Sequence, residues 1–251
     1  MKLYRYTPAD APDAPPRLGL PGADGARLAD LQRACARMLE AEGNADPSGD
    51  ATRLFPGDVA GWLENGDGAR PALDAVADWL AGRSEDGAEG LDGSPIFIPF
   101  DRVALHAPVC PPKVLAVGRN YNEHKEEMAG HKIGEMPKVP AAWVKSNNTL
   151  CGPTDDIVKP YMTQKLDYET ELVLVIAKRC KNVLEAQAWD VVAGYTVMSD
   201  ITARDVGFIE RAEGNRLLGK MFDTFGPMGP CFVTADAIGR ASCRERVLRL
   251  V

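Results

Sequence analysis

The chain has 251 residues, a formal charge of -7, and 45% apolar and 26% charged residues. It is long enough to bury a core unaided, and its balance excludes a disordered or fibrous chain. The acidic balance argues against a nucleic-acid binder, which would need clustered Lys and Arg. No apolar run is long enough to span a bilayer and the N-terminal residues lack the apolar core of a signal peptide, so the expectation is a cytoplasmic protein without a membrane partner.

Residues 1–110 are rich in Ala, Asp, Gly and Pro and read as an N-terminal accessory region. Leu28, Leu31, Ala34, Cys35, Met38 and Leu39 recur at three- and four-residue intervals, as do Ala72, Val76, Trp79 and Leu80. Each set marks the apolar face of a helix. The polar, Gly-rich stretches 44–50 and 82–94 read as surface loops. The cysteines, Cys35, Cys110, Cys151, Cys180, Cys231 and Cys243, form no C-x-x-C pair and read as free thiols.

From Lys113 the texture changes to short β-type runs at 114–117, 142–144, 166–177, 195–198 and 231–234, interrupted by helical patterns at 122–129 and 184–192. Residues 111–239 therefore read as an α+β domain dominated by strands. The arginine-rich tail at 240–251 has no turn, strand or cap logic joining it to this pattern, and is expected to be atypical, foreign or cut short.

The strongest chemical signal is KLDYETELVLVIA. Side chains alternate along a strand, so Asp167, Glu169 and Glu171 share one face. The apolar run that follows implies burial, where neighbouring carboxylates repel and lose hydration unless a cation compensates. An oxygen-seeking divalent ion would meet that need, and so would Lys or Arg partners. Asp200, at the end of the β-like run GYTVMSD, is the candidate third ligand, with a helix cap as its alternative role. The following Arg204 and Asp205 are expected to pair with each other.

In GRNYNEHKEEM, a helix capped by Asn122 places His124 and Glu127 three residues apart on one face, where the carboxylate can orient the imidazole as a general base. Lys220, in LLGKMFDTFGPMGP, can offer an ammonium to a substrate carboxylate or enolate, or can simply face solvent.

In order, VLAVGRNYNEHKEEM, KSNNTLCGPTDDIVKP, LDYETELVLVI, GYTVMSDITARDVG and GKMFDTFGPMGP resemble the fumarylacetoacetate hydrolase family over 113–238. The resemblance implies a mixed β-roll or β-sandwich catalytic fold, commonly a homodimer, acting on a small oxo-acid. It places Glu169, Glu171 and Asp200 on the metal ligands for Mg2+, with Mn2+ or Ca2+ as substitutes. It also places His124 and Glu127 on the water-activating dyad, Lys220 on the substrate-anchoring lysine, and Arg119 and Tyr121 beside the substrate. Gly207 stands where many members have Gln, and the family's Thr-Gly-Thr-Pro loop does not follow Ile238.

The implied activity is metal-dependent hydrolysis or lysis of a carbon-carbon bond in a dioxo-acid such as an acylpyruvate. Dehydration of a 2-oxo-3-deoxy sugar acid, oxo-acid decarboxylation and isomerisation are rivals within the family. An inactive metal-binding fragment is the rival of another class.

Overall fold

The computed structural model describes residues 1–118, 141–215, 217–238 and 247–250, the last four and Ala141 by their backbone alone. The chain folds as two compact units, Met1–Cys110 with Pro230–Val233, and Pro111–Gly229 with Thr234–Val251.

The first unit contains more sheet than its composition suggests. Strands β1 (Lys2–Pro8), β2 (Arg17–Pro21), β3 (Arg27–Asp30) and β4 (Phe97–Pro99) pair antiparallel in sequence order, and β5 (Val103–His106) pairs with β1. Four helices accompany them: α1 (Leu31–Ala41), α2 (Pro47–Leu54), α3 (Val59–Leu63) and α4 (Ala69–Ala81).

The apolar spacing correctly marks α1 and α4, but Leu28 belongs to β3 rather than to the helix. Asp30 makes the change of direction. Fully buried, it accepts Arg33 N at 2.8 Å as the cap of α1, the Tyr6 hydroxyl at 2.6 Å, and the Nε and Nη2 groups of Arg17. The expected loop at 44–50 instead holds the start of α2, where Asp46 accepts Gly49 N at 3.0 Å and Pro47 takes the first helical position.

The second unit is built on a sheet. Strand β6 (Val114–Gly118) pairs antiparallel with β7 (Ala141–Lys145). A short strand β8 (Leu150–Cys151) follows, then β9 (Leu166–Asp167) and β10 (Thr170–Ile176). The single strand expected over 166–177 is thus interrupted at Tyr168 and Glu169. Strand β10 pairs antiparallel with β11 (Val192–Ser199), while β12 (Thr202–Ala203) turns back to pair with β9.

Helix α5 (Arg204–Ala212) comes next, and β13 (Gly226–Pro227) runs parallel to β8. Ile201, Ala203, Val206 and Phe225 form a buried cluster, with Ile157 and Phe222 packed against it. The helix expected at 184–192 is a 3-10 turn, Glu185–Val191. Leu184 and Trp189 stay exposed there, so no packing supports a longer helix.

Strand β14 (Phe232–Thr234) sets Phe232 against Leu3 and Val233 against Lys2. After the short α6 (Ala235–Ile238), the backbone of Val247–Leu250 forms β15 within the tail that breaks the sequence pattern. It runs parallel to β10 and antiparallel to β6. Among the described residues no helix is long and apolar enough to cross a membrane, and Cys35, Cys110, Cys151, Cys180 and Cys231 are free.

Candidate functional site

The interruption between β9 and β10 positions the acidic residues. Asp200 N donates to Glu169 O at 2.7 Å, so the end of β11 is held against the residue just before β10. Glu169 and Asp200 therefore meet across the ladder although they lie far apart in sequence. Glu171 sits on the inward phase of β10 with Val173 and Val175 and is 6% exposed. The opposite phase is only half-buried, so the strand buries one face rather than both.

Three cations gather on these carboxylates. The Lys220 ammonium donates to Glu169 Oε2 at 2.6 Å and to Asp200 Oδ2 at 2.5 Å. Lys145, at the end of β7 and fully buried, donates to Asp200 Oδ1 at 2.8 Å and to the Lys220 carbonyl at 2.7 Å. Arg204, at the start of α5, donates to Glu169 Oε1 and to Asp167 Oδ2, each at 2.7 Å. The expected Arg204–Asp205 pair does not form. Asp205 instead accepts from the Thr163 hydroxyl and from Gln164 N, fastening the loop before β9 to α5.

Electrostatics follow from burial and pairing. Burial lowers the Lys145 pKa below the usual lysine range, against the pull of Asp200. Burial also opposes the charge on Arg204, but its hydrogen bonds to Asp167 and Glu169 outweigh that and raise its pKa. The Thr163 hydroxyl and the Gln164 amide lower Asp205 to about 2.

Of the residues singled out from sequence, the structure brings together Glu169, Asp200 and Lys220, with Glu171 two residues along the same phase. His124, Glu127, Arg119 and Tyr121, and the helix expected at 122–129, lie outside the described residues. Asp200 does not cap α5, whose N-terminal cap is Ala203.

Lys145, Arg204 and Glu210 were missed as site residues. Along AAWVK, Lys145 shares its face with Trp143 and is fully buried with its ammonium on Asp200, while Val144 on the other face is 53% exposed. Glu210, on α5, is 9% exposed. It accepts the main-chain N–H groups of Leu217 at 2.7 Å and Gly219 at 2.6 Å, and that of Leu218 as well.

The chemistry of the donor set suits a hard divalent ion, since Glu169, Glu171 and Asp200 offer only carboxylate oxygens. Two of them already share one cationic centre, the Lys220 ammonium. Among the described residues no three His, Cys, Asp or Glu side chains are gathered closely enough to enclose an ion as they stand. Binding there would require the ammonium to yield its place.

Comparison with known proteins places the chain in a family. The model of the fumarylacetoacetate hydrolase C-terminal domain matches residues 113–249. A mitochondrial oxaloacetate tautomerase of Xenopus laevis is 34% identical over 241 residues, covering 95% of this chain and 63% of the relative. The crystal structure of maleylpyruvate hydrolase from Sphingobium sp. SYK-6, in complex with manganese(II) and pyruvate, is 28% identical with a TM-score of 0.58, covering 95% of this chain and 69% of that one.

That of 5-carboxymethyl-2-hydroxymuconate delta-isomerase from Mycobacterium smegmatis is 27% identical with a TM-score of 0.57, covering 93% and 66%. The chain spans 44–66% of the length of the curated relatives considered. The family match covers more than half of the chain, includes every carboxylate and cation of the acidic site and extends into β15, and the chain belongs to the fumarylacetoacetate hydrolase family.

Proposed function

We propose that this chain serves an enzyme that processes a small, enolisable oxo-acid through an electron-rich enolate. The observation that carries the reading is the Lys220 ammonium, held between Glu169 and Asp200 with its main chain anchored by Lys145. A substrate oxygen that gains charge as an adjacent carbon loses a proton or a carbon-carbon bond breaks is stabilised by an ammonium whose main chain is already fixed beside the carboxylates.

Lys220 is the group of this chain suited to donate to that oxygen. Arg204 and Lys145 hold Glu169 and Asp200 in orientation through charge-assisted hydrogen bonds. Glu169, Glu171 and Asp200 would hold Mg2+ or Mn2+, which when bound supplies positive charge for the oxygens of an oxo-acid. The maleylpyruvate hydrolase structure, with manganese(II) and pyruvate, supports that pairing of ion and ligand class.

Hydrolytic cleavage of a dioxo-acid additionally needs an activated water, the role proposed for His124 with Glu127. Tautomerisation needs only the enolising half of the site, and the Xenopus laevis tautomerase, matched across 241 residues, favours this second reading. A homodimer belongs to the same proposal, and light scattering tests it.

One panel separates the activities. Oxaloacetate enol–keto conversion is followed by ultraviolet absorbance, acylpyruvate cleavage by pyruvate release, and oxaloacetate decarboxylation by carbon dioxide release, each with and without Mg2+ or Mn2+. Metal-dependent acceleration of the first alone selects tautomerase, and of the second selects hydrolase. If none is accelerated, the enzymatic reading is wrong.

A further inference from the structure

We infer that Glu210 is a positioning residue whose carboxylate clamps the turn carrying Lys220 and so sets where the ammonium sits. The inference rests on the proposed function in assigning Lys220 a role, but the clamp itself stands on geometry. A surface Glu in the second turn of a helix ordinarily faces water. Here Glu210 is 9% exposed, and both of its oxygens are directed at consecutive main-chain amides, Leu217 and Leu218 on Oε1 and Gly219 on Oε2.

A carboxylate that accepts several backbone N–H groups fixes their conformation as a cap fixes a helix end, with charge-assisted bonds stronger than neutral ones. The same residue also holds the chain's return. Its carbonyl accepts Glu213 N at 3.1 Å and Asn215 N at 2.8 Å, and Gly214 takes a positive φ of 81° to make the reversal.

The next residue after the clamped amides is Lys220. Its N–H donates to Leu217 O at 3.1 Å and its carbonyl accepts Lys145, so its main chain is held from both sides. Gly219 permits the close approach. A Cβ there would stand 3.0 Å from Gly207 N, 3.1 Å from Ala203 O and 3.1 Å from Glu210 Oε2. The main chain of Lys220 is thus set beside Glu169 and Asp200 by the clamped turn, which limits where its ammonium can reach, as preorganisation requires.

The test substitutes Glu210→Gln, which keeps the shape but places an NH2 group against main-chain donors. Two readouts are taken on the full chain. Amide hydrogen exchange at Leu217, Leu218 and Gly219 is expected to quicken at least tenfold, while exchange in β10 and β11 stays unchanged. In the oxo-acid assay with Mn2+, kcat is expected to fall about tenfold or more with a smaller change in KM. Adding Glu210→Gln to Lys220→Met should cost less than threefold beyond Lys220→Met alone, because both act through the same ammonium.

Unchanged exchange at the three amides overturns the clamp. Additive losses in the double variant overturn its action through Lys220. If the parent chain turns over no oxo-acid, the functional reading fails and the exchange measurement still decides the clamp. Should Glu210→Gln fail to fold, Glu210→Asp keeps the charge with a shorter reach. Quickened exchange with partial activity then supports the clamp, and parent-like exchange refutes it.

Discussion

The buried ammonium of Lys145 lies 2.7 Å from the main-chain carbonyl of Lys220, so one lysine anchors the backbone of the other. Lys145 also neutralises one oxygen of Asp200 while Lys220 takes the second. Replacing Lys145 with Met leaves a carboxylate and a carbonyl without this donor in a dry interior. A loss of about 3–5 kcal/mol is expected, as for a broken buried ion pair. Urea denaturation of Lys145→Met measures it, and a loss below about 1 kcal/mol would show that the pair is not effectively buried.

Lys220→Met should separate metal binding from catalysis. The ammonium occupies the cationic position between Glu169 and Asp200, so its removal leaves both carboxylates available to a dication. Mn2+ affinity is expected to rise roughly tenfold, a modest part of the Coulomb energy of a unit charge at this distance. Oxo-acid turnover should fall by about 100-fold or more, as when a fixed oxyanion donor is lost. Titration calorimetry and the enol assay report the two effects, and weaker Mn2+ binding would contradict the competition.

Gly207 lies inside α5, and a Cβ at that position would meet nothing within 4 Å. Gly207→Ala should therefore stabilise the fold by about 0.5–1 kcal/mol, the helix-propensity difference between the two residues. Thermal unfolding checks the sign, and a lowered midpoint would mean that the space is occupied.

Asp205 gives a pH signature. Its pKa is lowered to about 2 by the Thr163 hydroxyl first and the Gln164 amide second. A carboxyl depressed in the folded state contributes stability above its unfolded value and loses it as pH falls through the folded one. The destabilisation caused by Asp205→Asn should accordingly be full at pH 7 and shrink between about pH 4 and pH 2. Denaturant midpoints of both chains across that range measure the difference, and a gap that does not narrow would refute the assignment.

Much of the acidic site was legible before folding. Glu169 and Glu171 alternate into an apolar run, Asp200 ends another, and Lys220 precedes a Gly/Pro-rich segment, so residue type and spacing marked all four. Salt-bridge partners were an open alternative to a metal, and the structure supplies them as Lys145, Lys220 and Arg204.

Lys145 was hidden because its partner, the Asp200 carboxylate, lies 55 residues away in the chain. Glu210 was hidden because its partners are main-chain amides, which carry no sequence signature. The first unit's strands were obscured by brevity and by surrounding Ala, Gly and Pro, while the helices α1 and α4 were long enough for their period to show.

The carboxylates were thus determined by sequence, because local alternation and strand ends are properties of a few neighbouring residues. Only tertiary structure decided what those carboxylates hold. Bringing Glu169 to Asp200 takes a ladder that pairs the start of β10 with the end of β11, and placing Lys220 between them takes a helix, a turn and a buried carboxylate acting together. Charge pairing at such range depends on where the backbone goes, and a one-dimensional pattern does not record that.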